Sequence, residues 1–231
     1  MKLKTFVLVP GAYGGAWLWR RVARLLAAAG HEAFPVSLTG MGERVHLAHP
    51  DIDLDTFIQD VVNVIEFGEL ENVILVGHSF GGMVVSGVAE RVPDKIEQVV
   101  FLDAYVPQDG QSAADLLGPQ AAAFAQHIAD TQGDGWRIPP QNPPDARLTP
   151  MPIKTAFQPV RICNPVAAAL ARTFIYCTED KDEPDPFIAP IILAAERIKA
   201  DETWRYYELE SGHGAMIQAP EKLVHLLLEL A

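Results

Sequence analysis

A serine that stands between two glycines can do chemistry if the chain turns sharply at that point. In Gly77-His78-Ser79-Phe80-Gly81, the aliphatic run Val73–Val76 leads in and a helix-length apolar stretch leads out. Serine is a poor strand residue and glycine weakens any regular element that contains it. Their placement makes sense if a β-carbon at either flanking position would clash. The strand–turn–helix context makes this G-x-S-x-G pattern a nucleophile elbow, which lifts the Ser79 hydroxyl out of a sheet at a helix N-terminus. The Phe80 N–H can then face a developing oxyanion. A phosphate loop would carry a lysine or further glycines ahead of the helix, where this chain has His and Phe.

A serine hydroxyl needs a positioned base. Of the seven histidines, only His213 sits in a tight polar turn, Glu210-Ser211-Gly212-His213-Gly214, after the last strand-like run. His78 is expected to pack the elbow from behind. The base in turn needs a carboxylate that fixes its tautomer, borne at a strand end between serine and histidine in chain order. Asp180, in Tyr176-Cys177-Thr178-Glu179-Asp180-Lys181, is the expected acid. Asp182 is a register rival, and Asp103, at the end of Val99-Val100-Phe101-Leu102, is the other alternative. The loop Pro10-Gly11-Ala12-Tyr13-Gly14-Gly15 would supply the second oxyanion donor, with the Ala12 N–H the expected group. Its glycine spacing misses the dinucleotide fingerprint, and no acid closes the next strand to hold a ribose.

These residues require a scaffold of short buried strands alternating with helices. Strands are expected at Thr5–Pro10, Glu32–Ser37, Val73–Val76, Ile96–Leu102, Thr173–Cys177 and Trp204–Leu209. Helices are expected at Trp17–Ala29, Asp55–Glu66, Ser79–Arg91 and Pro186–Lys199, with a closing helix from Pro220. Ile96–Leu102 is apolar on both sides, as a parallel strand covered by helices should be. The pattern predicts one α/β domain over 1–231, a doubly wound, mainly parallel six-stranded sheet. Residues from Pro107 to about Pro165 break it, holding ten of the eighteen prolines and one periodic stretch, Ser112–Ala129. An inserted cap over one sheet edge is expected there.

Composition excludes other classes. The 231 residues carry a net charge of −12 with no basic cluster to offset it, which disfavours nucleic acid and anionic membrane as partners. The N-terminal apolar run, Phe6 to Pro10, is too short for a secretory core, and nothing reaches membrane-spanning length. Cys163 and Cys177 lack metal or redox spacing, so free thiols and a cytoplasmic location are expected. No metal or organic cofactor is expected.

The stretches FVLVPGAYGGAWLW, LTGMGER, VILVGHSFGGMVV, VVFLDAYVP, YCTEDKDEP and ESGHGAM resemble the α/β-hydrolase fold. Within it they resemble the plant methylesterases, the hydroxynitrile lyases and their bacterial esterase relatives. The resemblance implies a triad of Ser79, Asp180 and His213, with Ala12 and Phe80 as oxyanion donors, and favours Asp180 over Asp182. Family members commonly carry histidines where Pro10 and Gly14 stand here. The hydroxynitrile lyases carry a threonine at the Gly11 position and a lysine at the Gly214 position. Both are absent, which disfavours lyase chemistry.

The expected activity is therefore hydrolysis of a small carboxylic ester through an acyl-enzyme. The alternatives are a hydroxynitrile-lyase-like carbon–carbon lyase and a non-catalytic binder of small ligands on the same fold. Tyr13, Tyr105, Trp136 and Met216 are the expected substrate contacts. A cap can close over its own pocket or pack on a second subunit, so a homodimer stays open.

Overall fold

The computed structural model describes residues 3–141, 143, 145–181 and 185–231. Six parallel strands form one sheet: β1 (Thr5–Val9), β2 (Glu32–Pro35), β3 (Val73–His78), β4 (Ile96–Leu102), β7 (Ala171–Cys177) and β8 (Arg205–Leu209), in the order β2-β1-β3-β4-β7-β8. A separate two-stranded antiparallel pair joins β5 (Arg137–Ile138) to β6 (Met151–Pro152). All six residues of the central strand β3 are buried, which explains its unbroken apolar run better than any alternation could.

The alternation of side chains along each strand divides the core in two. Val7, Val9, Leu75, Phe101 and Phe174 face one layer of helices: α2 (Leu54–Phe67), α3 (Gly81–Arg91), α4 (Ala113–Gln132) and α7 (Ala189–Lys199). Phe6, Leu8, Ile74, Val76, Val100 and Ile175 face the other layer. That layer contains α1 (Arg20–Ala28) with the 3-10 turn before it, and α9 (Pro220–Leu230). Buried aliphatic side chains of this kind stabilise the fold by about 1.5–3 kcal/mol each.

Local chemistry sets the helix boundaries. Asp53 accepts from the Thr56 N–H while the Thr56 hydroxyl faces the Asp53 N–H, a capping box that starts α2 one residue ahead of the expected span. Ser112 and Asp115 form a second box at α4. Gly118, at φ 78°, breaks α4 just ahead of Pro119, so the long helix is kinked where the proline predicts.

Residues 107–165 hold α4, the β5–β6 pair and α5 (Lys154–Phe157), and α6 (Pro165–Ala168) follows. This segment is bonded to loops at the carboxyl ends of β1 and β2. The Thr149 N–H donates to the Tyr13 carbonyl at 2.9 Å, the Gly42 N–H donates to the Thr149 hydroxyl at 2.8 Å, and the Arg147 guanidinium lies 3.9 Å from the Trp17 ring centre.

Candidate active site

Strand β3 ends at His78, and Ser79 adopts φ 54°, the left-handed region that a non-glycine residue enters at a cost. The turn is tight enough to answer why glycines flank it. A β-carbon on Gly77 would lie 2.7 Å from a Val85 methyl, and one on Gly81 would lie 2.7 Å from the Pro10 carbonyl oxygen. The Ser79 carbonyl accepts from both the Gly82 and Tyr105 N–H groups at 3.0 Å, which ties the elbow to the chain leaving β4. Ser79 is half-buried. Among the described residues its hydroxyl makes no hydrogen bond, an open geometry common in unliganded hydrolases. The N–H groups of Ala12 and Phe80 likewise donate to no backbone carbonyl of the described residues.

His213 follows β8 and is held twice. Its carbonyl accepts from His78 Nε2 at 2.9 Å, and the two rings lie 4.5 Å apart between centres. A carbonyl can only accept, so the His78 proton is on Nε2. Burial, followed by the nearby His213, pushes the His78 pKa down to about 3, so this ring is neutral. Among the described residues its Nδ1 is buried without a partner, next to Gly11.

The imidazole Nδ1 of His213 lies 2.6 Å from Asp103 Oδ2. Asp103 terminates β4 at φ 42°, is wholly buried, and has its N–H bonded to the Ile175 carbonyl at 2.7 Å. Its Oδ1 accepts from the Cys177 N–H at 3.1 Å, and Oδ2 also accepts from Lys181 Nζ at 2.6 Å. Burial acts to raise the carboxyl's pKa. The His213 hydrogen bond and the charges of His213 and Lys181 outweigh it and hold the group below the usual carboxylate range. An ionised Asp103 makes His213 Nδ1 the donor and leaves Nε2 with a free lone pair.

Asp180, the expected partner, does not occupy that place. It is exposed, in the left-handed conformation at φ 59°, with its carboxylate against Gly212, where any side chain would collide with it. It makes no hydrogen bond to His213 among the described residues. The space beneath the imidazole is already filled by Asp103, delivered from the neighbouring strand. Asp182 lies outside the described residues.

The expected substrate contacts divide. Tyr13, at φ 67°, and buried Tyr105 both pack on the α2–α3 side of the sheet, with Phe80. Burial, followed by the Asp185 charge, pushes the Tyr13 phenol up to about 12. Burial also raises Tyr105, whose hydroxyl donates to the Phe187 carbonyl at 2.9 Å. Met216 does not join them. It is buried on the opposite face with Trp19 and Leu223, because the turn after His213 feeds α8 (Ala215–Gln218) into that layer. Trp136 belongs to neither core cluster and lies beneath the Arg137 guanidinium, 4.9 Å from its ring centre. Lys181 is the residue sequence reasoning missed. A lone lysine beside two acids in an irregular loop carries no signal of the buried carboxylate it meets.

Among the described residues, no group of three or more His, Cys, Asp or Glu is arranged to hold a metal ion, and no helix is long and apolar enough to cross a membrane. Cys163 is exposed and Cys177 buried, both as free thiols.

A parallel sheet with a serine elbow after its central strand and a histidine after its last defines an α/β hydrolase. The chain belongs to the alpha/beta hydrolase family, whose model matches residues 6–226. It is 34% identical to the carbendazim hydrolyzing esterase of Nocardioides sp. (strain SG-4G), covering 99% of this chain and 100% of that protein. It is 30% identical to salicylic acid-binding protein 2 of Nicotiana tabacum, covering 99% and 97%. Among solved structures, an extracellular alpha/beta-hydrolase from a Paenibacillus species superposes with a TM-score of 0.82 at 24% identity, over 98% of each chain. The last likeness concerns the fold.

Proposed function

We propose that this protein is a serine esterase that hydrolyses a small carboxylic ester, with Ser79 as nucleophile, His213 as general base and Asp103 as the carboxylate that orients it. The observation that carries the reading is the 2.6 Å contact between His213 Nδ1 and a buried, ionised Asp103, beside an unengaged elbow serine. The name of the bacterial relative, an esterase, supports ester hydrolysis over other chemistries of the fold.

In the reaction, Ser79 Oγ attacks the ester carbonyl while His213 Nε2 takes its proton. The carbonyl oxygen becomes an oxyanion held by the Ala12 and Phe80 N–H groups, each worth about 2.7–4 kcal/mol in the barrier. Collapse breaks the ester bond, and His213 gives its proton to the leaving alkoxide. Water then attacks the acyl-enzyme, passing its proton to His213, and the second collapse returns that proton to Ser79 as the acid departs. Residues 107–165, bonded to the loop that carries Tyr13, serve as the cap that selects the ester. Tyr13 and Tyr105 supply apolar surface for the substrate.

The test is rapid mixing with p-nitrophenyl acetate and butyrate, comparing the native protein with Ser79→Ala. A nitrophenolate burst or steady turnover that vanishes in the variant is the expected result. Equal release by both proteins would overturn the mechanism. Inertness of both would turn attention to carbon–carbon lysis or ligand binding.

A further inference from the structure

The carboxylate beneath His213 is shared. Lys181 Nζ and His213 Nδ1 both lie 2.6 Å from the same oxygen, Asp103 Oδ2. The ion pair is sealed: the Lys181 side chain is 10% exposed and that of Asp103 is 0% exposed. Lys181 is also seated by Tyr176, whose ring centre lies 5.1 Å from the ammonium. Since the Cys177 N–H occupies Oδ1, the carboxylate has three donors on two oxygens and no solvent. We propose that Lys181 is a positioning residue that pins Asp103 and, by sharing its charge, sets the pH at which His213 becomes available as a base. The inference rests on the catalytic reading of Ser79, His213 and Asp103.

The physical argument is one of competing charges. A buried carboxylate beside an imidazole favours the imidazolium, which raises the pH at which the ring is free to act as a base. A second cation on the same oxygen makes the carboxylate–ammonium unit nearly neutral. The imidazolium then gains less from it, so the base is free at lower pH, while Asp103 stays ionised in spite of complete burial.

Among the described residues, the other groups around His213 leave this role to Lys181. His78, from the end of β3, is neutral, as is Tyr176 with its raised pKa. The Cys177 thiol of β7 is pushed up by burial and by Asp103, so it too carries no charge. From the loop after β7, Glu179 is tied by its N–H to the Ser211 carbonyl, and Asp180 sits exposed against Gly212. From the loop after β8, Glu210 is paired outward with Lys222 of α9. The solvent-facing acids are screened, and the buried cation is not.

The experiment is the pH profile of kcat/KM for p-nitrophenyl butyrate in the native protein and in Lys181→Gln, Lys181→Met and Lys181→Arg, with Ser79→Ala alongside. Its acidic limb reports protonation of the base. The limb should move to higher pH by about one unit in the Gln and Met variants. It should return close to the native position in Lys181→Arg, which keeps the charge. The Met variant matches the packing of the buried stem and serves if Gln fails to fold. A fall in amplitude with the limb unmoved in both neutral variants would make Lys181 merely structural and overturn the inference. Activity that survives Ser79→Ala would instead overturn the catalytic reading beneath it.

Discussion

His213 Nδ1 and Asp103 Oδ2 stand 2.6 Å apart, joining the loop after the last strand of the sheet to the end of its fourth. At that separation the hydrogen bond is charge-assisted, and the carboxylate that makes it is shielded from water on every side. The pair fixes which nitrogen of His213 carries the proton, so Nε2 keeps the free lone pair.

The first prediction separates the two acids. Asp103→Asn presents an amide to Nδ1 and can hold the wrong tautomer, so kcat should fall by about 10⁴-fold, as it does when a triad aspartate is replaced in this way. Asp180→Asn changes an exposed loop residue and should leave kcat within about threefold, in the range of small surface effects. Steady-state kinetics on p-nitrophenyl butyrate compares them directly. The reverse ranking would return the orienting role to Asp180.

The elbow and the six strands were legible because backbone sterics and burial write themselves into residue type. Gly77 and Gly81 have no room for a β-carbon, and Val73–Val76 is apolar on both sides because helices cover both faces. The choice of acid was less legible. Asp103 and Asp180 both end strand-derived runs, and only the packing of β4 beside β7 decides which carboxylate fits beneath the imidazole. Met216 misled for a similar reason: its nearness to His213 in sequence says nothing about which layer the next turn enters. Lys181 could not be read at all, since its meaning lies in a partner 78 positions away.

Tyr105 anchors the approach to α7 through its hydroxyl on the Phe187 carbonyl. Tyr105→Phe keeps the buried ring and removes that bond, leaving a carbonyl without its donor. The folded state should lose about 1 kcal/mol, read as a lower urea midpoint with an unchanged slope. No change in midpoint would mean that water replaces the phenol at no cost.

His78 should make stability depend on pH. In the unfolded chain a histidine titrates near 6.5, whereas the folded ring holds its pKa down to about 3. Above pH 6.5 neither state binds the proton, and the full stability is present. As pH falls below that value the unfolded chain takes up a proton that the native ring refuses, so stability is lost progressively down to about pH 3. At pH 5 the loss should be about 2 kcal/mol. Urea unfolding of the native protein and His78→Asn at pH 7.5 and pH 5 isolates it, since other titrating groups cancel in the double difference. A double difference of zero would mean that the ring already protonates in the native state.

Gly11 lies where the loop after β1 meets the elbow serine. A β-carbon there would stand 2.8 Å from Ser79 Cβ, 3.1 Å from His78 Nδ1 and 3.2 Å from the His78 carbonyl oxygen. None of these neighbours is the free end of a flexible side chain, so Gly11→Ala must displace either the elbow or the loop bearing the Ala12 N–H. Either movement separates the attacking oxygen from the donor that is to receive the oxyanion. A shift of about 1 Å costs up to about 10²-fold in rate when it falls on reacting groups, and kcat should drop by that order. Binding of the ground-state ester depends little on the oxyanion donors, so KM should change far less than kcat. Burst kinetics on p-nitrophenyl acetate locates the defect, because the acylation phase itself should slow. If the burst kept its native rate, the loop would have yielded away from Ser79, and the Ala12 N–H would not be the group that stabilises the intermediate.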